Sequence, residues 1–238
     1  MRGDMWWTRM VNEANDSFRE VWYSATTKTL CWRAGRIGEN AGVHKRAVDG
    51  LVSAKEEHFD LMAKFQDKGF RHDCPSDPGG KLTWRMIDLL HRRPDGYADQ
   101  VRRLLGQGAD PNGLHNLSRP LCLAVEGGDP GLVGALVDAG ARVDDAHYTL
   151  AVAYLPCATP LAIALMRDHT EMAHLLLARG ADVPLSFALA LEMASAFVQR
   201  NDFSAFERIW QPILARLVER GAEDGDPAYQ ALLRLPRK

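Results

Sequence analysis

The second half of the chain carries a helical pattern of apolar residues. From about residue 82 onward, leucine and alanine recur every three or four positions, which predicts a succession of short α-helices. Four of these segments are followed by a Gly-Ala pair, at Gly108, Gly140, Gly180 and Gly221. Glycine at this position is typical of the left-handed residue that ends a helix. The recurrence predicts an all-α structure built from repeats.

Two helical segments between these glycines begin alike, with Arg119-Pro-Leu-Cys-Leu-Ala124 and Thr159-Pro-Leu-Ala-Ile-Ala164. In both, the proline lies 20 residues before a Gly-Ala pair, and proline is favoured in the first turn of a helix. Together with the Gly-Ala-Asp segments, these residues resemble the ankyrin repeat, whose pattern contains Thr-Pro-Leu-His-x-Ala. The resemblance covers about residues 82–235 in about four repeats, with degenerate first helices at 82–91 and 186–200. It implies a solenoid of helical hairpins that binds a protein partner.

Stacked hairpins share one elongated core, and the turns between them project from one edge as fingers. The Gly-Ala pairs are 32, 40 and 41 residues apart, so residues 143–158 are expected to hold an insertion. The two longest fingers, 112–118 and 144–156, are the binding candidates, although they are open to the alternative that they are solvated loops. The candidate protein-binding residues are Asn112, His115, Asn116, Asp144, Asp145, His147 and Tyr148.

The first eighty residues have a different pattern. Aromatic and β-branched residues cluster in 19–24 and 29–33, which predicts two strands around a turn. The glycines of Arg33-Ala-Gly-Arg-Ile-Gly38 predict a sharply turning loop, because glycine permits backbone to approach other atoms closely. Ser53 and Glu56 have the spacing of a capping box, which predicts a helix from Ser53 to about Lys68.

The segment from Asp73 to Gly80 contains two prolines and two glycines, which favour neither helix nor strand. We therefore expect three parts: residues 1–73, a linker at 74–81, and a repeat domain at 82–238. The fold class predicted is an α+β N-terminal module, with antiparallel strands plus one helix, joined to an all-α ankyrin-like solenoid.

The motif Arg33–Gly38 and the later Lys68-Gly-Phe-Arg71 resemble the WGR domain, a small module of DNA-dependent poly(ADP-ribose) polymerases and many bacterial proteins. The resemblance covers residues 5–73, and the whole chain is similar to bacterial proteins that combine WGR and ankyrin domains. In the DNA-break-binding members of the family, the motif tryptophan stacks on a terminal nucleotide, and Ala34 stands in its place here. Trp32, two residues earlier and on the same face of a strand, could supply a displaced stacking surface or pack against the helix.

Charge is concentrated at this motif. The chain as a whole has a net charge of −2, which excludes a generic polyanion binder, but residues 28–46 hold five basic residues and one acidic residue. Such a patch could neutralise a few phosphates, or it could be a solvated face, and Arg36 could contact phosphate or hold the loop. The candidate nucleic-acid-binding residues are Trp32, Arg33, Arg36, Lys45 and Arg46, with Gly35 and Gly38 forming the motif loop.

Catalytic and metal motifs are not recognisable. Gly79-Gly-Lys81 lacks the first glycine and the Ser or Thr of a phosphate-binding loop, and His169 and His174 are five residues apart rather than four. No apolar run is long enough for a membrane span, and Met1–Met10 does not have the pattern of a signal peptide, so we expect a cytoplasmic protein. No cofactor is expected.

Two functions remain open. The first is a non-enzymatic adaptor whose WGR-like module binds nucleic acid or a protein, while the repeats bind a protein partner. The second is a purely protein-binding module, such as an inhibitor or immunity-type partner, with no nucleic-acid binding.

Overall fold

A computed structural model describes residues 4–24, 27–49, 51–74, 77, 80–113, 118–146, 158–199, 204 and 206–234. An N-terminal antiparallel sheet with one helix is followed by a succession of helical hairpins. The predicted fold class is confirmed.

The N-terminal module contains five antiparallel strands in the order β4-β3-β2-β1-β5. Its elements are β1 (Asp4–Asn12), β2 (Ser17–Ser24), β3 (Thr29–Arg36), β4 (His44–Ala47), α1 (Leu51–Asp67) and β5 (Arg71–His72). The sequence pattern indicated β2 and β3, but not β1 or β4. In β1 the register with β2 shifts between Met5 and Thr8, so the two-residue alternation that marks a strand is broken.

Helix α1 covers one face of this sheet. Val21 pairs with Trp32 and Tyr23 pairs with Leu30, so these four side chains lie on the same face. Val21, Tyr23 and Leu30 are buried in one cluster with Ala54 of α1. At the β1 end of the same face, Met10 packs with Met62 of α1 and with Phe70.

The opposite face carries an ionic cluster around a buried carboxylate. Glu20 is 0% exposed and lies between Arg9, at 3.0 Å, and Arg33. Arg9 also contacts Asp73, at 2.7 Å between Nε and Oδ2. The guanidinium of Arg9 lies 4.7 Å from the centroid of the buried Phe18 ring. The cluster thus contains two cations and two carboxylates, and it holds β1, β2 and β3 together.

The helical region consists of hairpins followed by a final helix. Its elements are α2 (Lys81–Arg92), α3 (Tyr97–Gly106), α4 (Pro120–Gly127), α5 (Pro130–Asp138), α6 (Pro160–Met166), α7 (Thr170–Ala178), α8 (Val183–Gln199), a π-helical turn (Phe206–Trp210), α9 (Gln211–Val218) and α10 (Pro227–Leu233). The first helices stack on one another in the order α2, α4, α6 and α8. The second helices α3, α5 and α7 stack in the same way.

Local sequence signals explain where these helices begin and end. Pro120, Pro130 and Pro160 each occupy the first turn of a helix, and the Thr159 hydroxyl accepts a hydrogen bond from the Ala162 amide at the start of α6. The four predicted helix-ending glycines all have positive φ, from 86° at Gly180 to 102° at Gly108.

Burial of the repeat helices is almost complete along α4 and α6, where every residue of 120–125 and 160–165 is buried. The second helices and the first helices both contribute to this core: Leu104, Leu121, Leu136, Leu161 and Leu176 are buried in it, and Leu105, Val137 and Leu175 are partly buried against it. Helix α8 contacts α1 of the N-terminal module as well as α6, α9 and α10. One continuous core therefore includes Val21, Tyr23, Leu30, Val48 and Ala54 of the module together with the buried residues of the repeats.

Two local predictions are wrong. Helix α1 begins at Leu51, so Ser53 lies inside its first turn and cannot cap it. Strand β3 continues through Arg36, so the first four residues of the predicted motif loop are strand, and the turn begins only at Ile37.

Candidate binding surfaces

Trp32, the proposed stacking residue, is already stacked within the protein. It lies opposite His44 of β4, and the two rings are 5.7 Å apart at an interplanar angle of 17°. The indole is half-buried and packs against the hydrophobic core. One of its faces is therefore used by His44, while the exposed Ala34 offers no aromatic surface.

Two of the four candidate cations are paired with carboxylates. Arg33 binds the buried Glu20, and this hydrogen bond raises the pKa of the Arg33 guanidinium. Arg46 lies 3.3 Å from Glu57 of α1, and the Arg46 side chain remains 64% exposed. Of these four cations, Arg36 and Lys45 are the two that are exposed and form no ion pair with a carboxylate of the described residues.

The strand register divides the candidate residues between the two faces of the sheet. Trp32 pairs with His44, and Arg46 pairs with Leu30, so Trp32, Arg46 and, by alternation, Arg36 lie on the face that α1 covers. Arg33 and Lys45 lie on the other face. The structure therefore does not bring the five residues together into one patch, and their binding of nucleic acid stays a prediction.

The motif glycines have distinct structural roles. A Cβ atom on Gly35 would lie 3.1 Å from Cβ of Ala41 and 3.2 Å from the ring of Phe18. Gly35 thus allows the loop after β3 to cross the strand closely, as the sequence suggested. Gly38 has a φ of 88°, a conformation that other L-residues rarely adopt.

The finger residues Asn112 and Asp144 brace adjacent repeats. Oδ1 of Asn112 accepts a hydrogen bond of 2.8 Å from the Arg142 amide, and its Nδ2 donates to the Gly140 carbonyl. Oδ1 of Asp144 accepts the equivalent bond, also 2.8 Å, from the Asp182 amide. Burial raises the pKa of the Asp144 carboxyl, and the bond from Asp182 opposes this shift. Both side chains therefore have an intramolecular role that the sequence analysis missed, although each lies four residues after a helix-ending glycine.

Asp145 is also engaged within the array. Its Oδ2 accepts a hydrogen bond from Nε of Arg142 at 2.9 Å and lies 3.8 Å from Nε of the buried Arg119. Burial lowers the pKa of the Arg119 guanidinium, and the Asp145 charge opposes this. Arg119 stands where the repeat pattern has threonine, and its contact with Asp145 joins the start of α4 to the base of the 144–156 finger.

The other predicted finger residues, His115, Asn116, His147 and Tyr148, lie outside the residues that the structure describes. Within the described ranges, no group of three or more histidine, cysteine or acidic side chains is arranged to hold a metal ion. None of the helices described here is both long enough and apolar enough to cross a bilayer.

The fold is an array of helical repeats with an added α+β module. A family model described as "Ankyrin repeats (3 copies)" matches residues 93–186, from before α3 into α8. The chain therefore contains ankyrin repeats, although the match covers less than half of it. The same scan gives no WGR match, so the resemblance of residues 5–73 to that family stays a prediction. A search of curated proteins finds no match.

Proposed function

We propose that this protein is a non-enzymatic adaptor that binds a protein partner through its repeat array and makes a second contact through its N-terminal module. The ankyrin repeats at 93–186 carry the proposal, because stacked hairpins of this kind present a broad and rigid surface for protein binding. In this proposal, residues 1–73 form the WGR-like module, 74–81 the linker, and 82–238 an array of about four repeats.

The finger residues outside the described structure are the proposed partner contacts. Asn112, Asp144 and Asp145 fix the bases of the two fingers by bonds within the array. A loop whose base is held by such bonds loses less conformational freedom on binding than a loop with a free base. We propose that His115, Asn116, His147 and Tyr148, which follow these bases in the sequence, contact the partner.

A capture experiment with the full chain tests this proposal. The bait is compared with a variant in which His115, Asn116, His147 and Tyr148 are changed to alanine, and with a control carrying Lys64→Ala and Lys68→Ala. We expect a partner that the wild type and the control retain and the finger variant loses, with all three giving the same circular dichroism spectrum. A partner retained equally by all three would place the contact elsewhere.

Nucleic-acid binding by the N-terminal module is a second candidate, favoured by the exposed cations Arg36 and Lys45, which form no ion pair within the described part of the chain. Titration of labelled single-stranded and nicked DNA, and of RNA, at two salt concentrations tests it. An affinity that falls steeply with salt and is weakened by Arg36→Ala would support this candidate. An absence of binding at low salt would eliminate it.

A further inference from the structure

Strand β4 is an open edge of the N-terminal sheet. It stands at the end of the strand order and pairs on one side only, with β3. All four of its residues, His44–Ala47, are exposed, and in the described part of the chain no other element hydrogen bonds to its outer side. The outer edge of such a strand presents backbone N–H and C=O groups that an additional strand can pair with.

The charge of this edge selects the kind of strand that could be added. His44, Lys45 and Arg46 follow one another along β4, and Arg36 lies at the end of the adjacent strand. A second copy of β4 would bring like charges opposite one another, which is destabilising. An acidic strand would bring opposite charges together.

The alternation of side chains favours a peptide over a nucleic acid. Lys45 and Arg46 point to opposite faces of the sheet, as the register with Cys31 and Leu30 shows. A nucleic acid follows one phosphate backbone and would meet only one of these faces. Successive side chains of an added β-strand also point to opposite faces, so neighbouring acidic residues would meet Lys45 and Arg46 in turn.

An apolar side chain lies at the start of the same edge. Val43 is 45% exposed and is one of the four large hydrophobic side chains that are exposed in the described structure. Val43 directly precedes β4. If an added strand extends past His44, an apolar side chain of that strand can therefore contact Val43. The outer edge of β4 thus offers backbone groups, two cations and an apolar side chain to an added strand.

We propose that the outer edge of β4 binds an extended acidic segment of a partner protein by β-strand addition. Adjacent acidic side chains of that segment contact Lys45 and Arg46, and an apolar side chain contacts Val43. This inference rests on the proposed function, since it assigns the chemistry of the adaptor's second contact.

Fluorescence anisotropy with the full chain tests the inference. The probe is a labelled eight-residue peptide, Glu-Glu-Val-Thr-Glu-Glu-Val-Thr. The comparison peptide has Pro-Pro in place of the first Val-Thr pair. Two adjacent prolines remove an edge-facing N–H in whichever register the peptide binds. An eight-nucleotide single-stranded DNA serves as a second polyanion.

The first variant carries both Lys45→Ala and Arg46→Ala. The matched control carries both Lys64→Ala and Lys68→Ala. Both remove two positive charges from exposed positions, but Lys64 and Lys68 lie beside Phe65 and Phe70 at the β1–β5 side of the module. We expect at least a tenfold loss of peptide affinity in the first variant, less than a twofold change in the control, and at least tenfold weaker binding of the Pro-Pro peptide.

Three outcomes would overturn the inference. Equal affinity for the Pro-Pro peptide would show attraction between charges without strand pairing. DNA that binds more tightly than the peptide, and is lost in the first variant, would assign the edge to nucleic acid. No peptide binding, in a chain that still captures a finger-dependent partner, would refute the second contact while leaving the array's function in place.

Discussion

Removal of the Glu20 carboxylate is expected to destabilise the N-terminal module strongly. Glu20 is fully buried and bonded to both Arg9 and Arg33, so Glu20→Ala leaves two cations beside an apolar ring. Removal of one partner from a buried ion pair costs about 3–5 kcal/mol. Here the Arg9 and Arg33 side chains are 27% and 32% exposed, and Arg9 keeps Asp73, so both cations recover part of their solvation or pairing. We therefore expect a loss of about 2–3 kcal/mol in the free energy of unfolding.

Urea and thermal denaturation of the full chain measure this loss. For a chain of this size it corresponds to a decrease of about 5–10 °C in Tm. The control is Glu57→Ala, which removes the partly exposed pair with Arg46 and should cost less than about 1 kcal/mol. If Glu20→Ala costs no more than Glu57→Ala, the ionic cluster does not stabilise the sheet as argued.

Three further changes test the repeat array by thermal denaturation. Thr159→Val removes the cap of α6 and the hydrogen bond to the buried Ser186 hydroxyl. It should lower the free energy of unfolding by about 2 kcal/mol, and a loss below about 0.5 kcal/mol would contradict this. Asn112→Ala removes two bonds between adjacent fingers and should cost about 1–2 kcal/mol, whereas a neutral effect would show that the fingers are braced by other contacts. Burial raises the pKa of the Glu126 carboxyl, so the folded state binds its proton more tightly than the unfolded state, and the wild type gains stability as pH falls through the raised pKa. Glu126→Gln should therefore be more stable than the wild type near pH 8, with the difference shrinking towards pH 4.5, and a difference that stays constant with pH would oppose this assignment.

The repeat helices were predictable because their signals are local. Proline in the first turn and glycine in the left-handed position after the helix fix both ends of a segment, and the apolar spacing fixes its buried face. The same local rules could not show that Asn112 and Asp144 bond to the next repeat, since their partners are 30 and 38 residues away.

The candidate site in the N-terminal module was less predictable for a related reason. Trp32, Arg33, Arg36, Lys45 and Arg46 are close in sequence, but which face of the sheet each side chain takes depends on strand register. The register of β4 was not predictable either, because its four residues are all exposed and three of them are basic, so they show no alternation of apolar and polar side chains. Glu20, which neutralises Arg33, is distant in sequence and becomes its neighbour only through pairing of β2 with β3.

Hydrogen–deuterium exchange of the full chain, with the captured partner and the acidic peptide added separately and together, tests most directly whether two separate surfaces bind. We predict slower exchange at His44–Ala47 with the peptide, slower exchange in the fingers with the partner, and both effects together in the ternary mixture. A single shared region of protection, or displacement of one ligand by the other, would contradict the account.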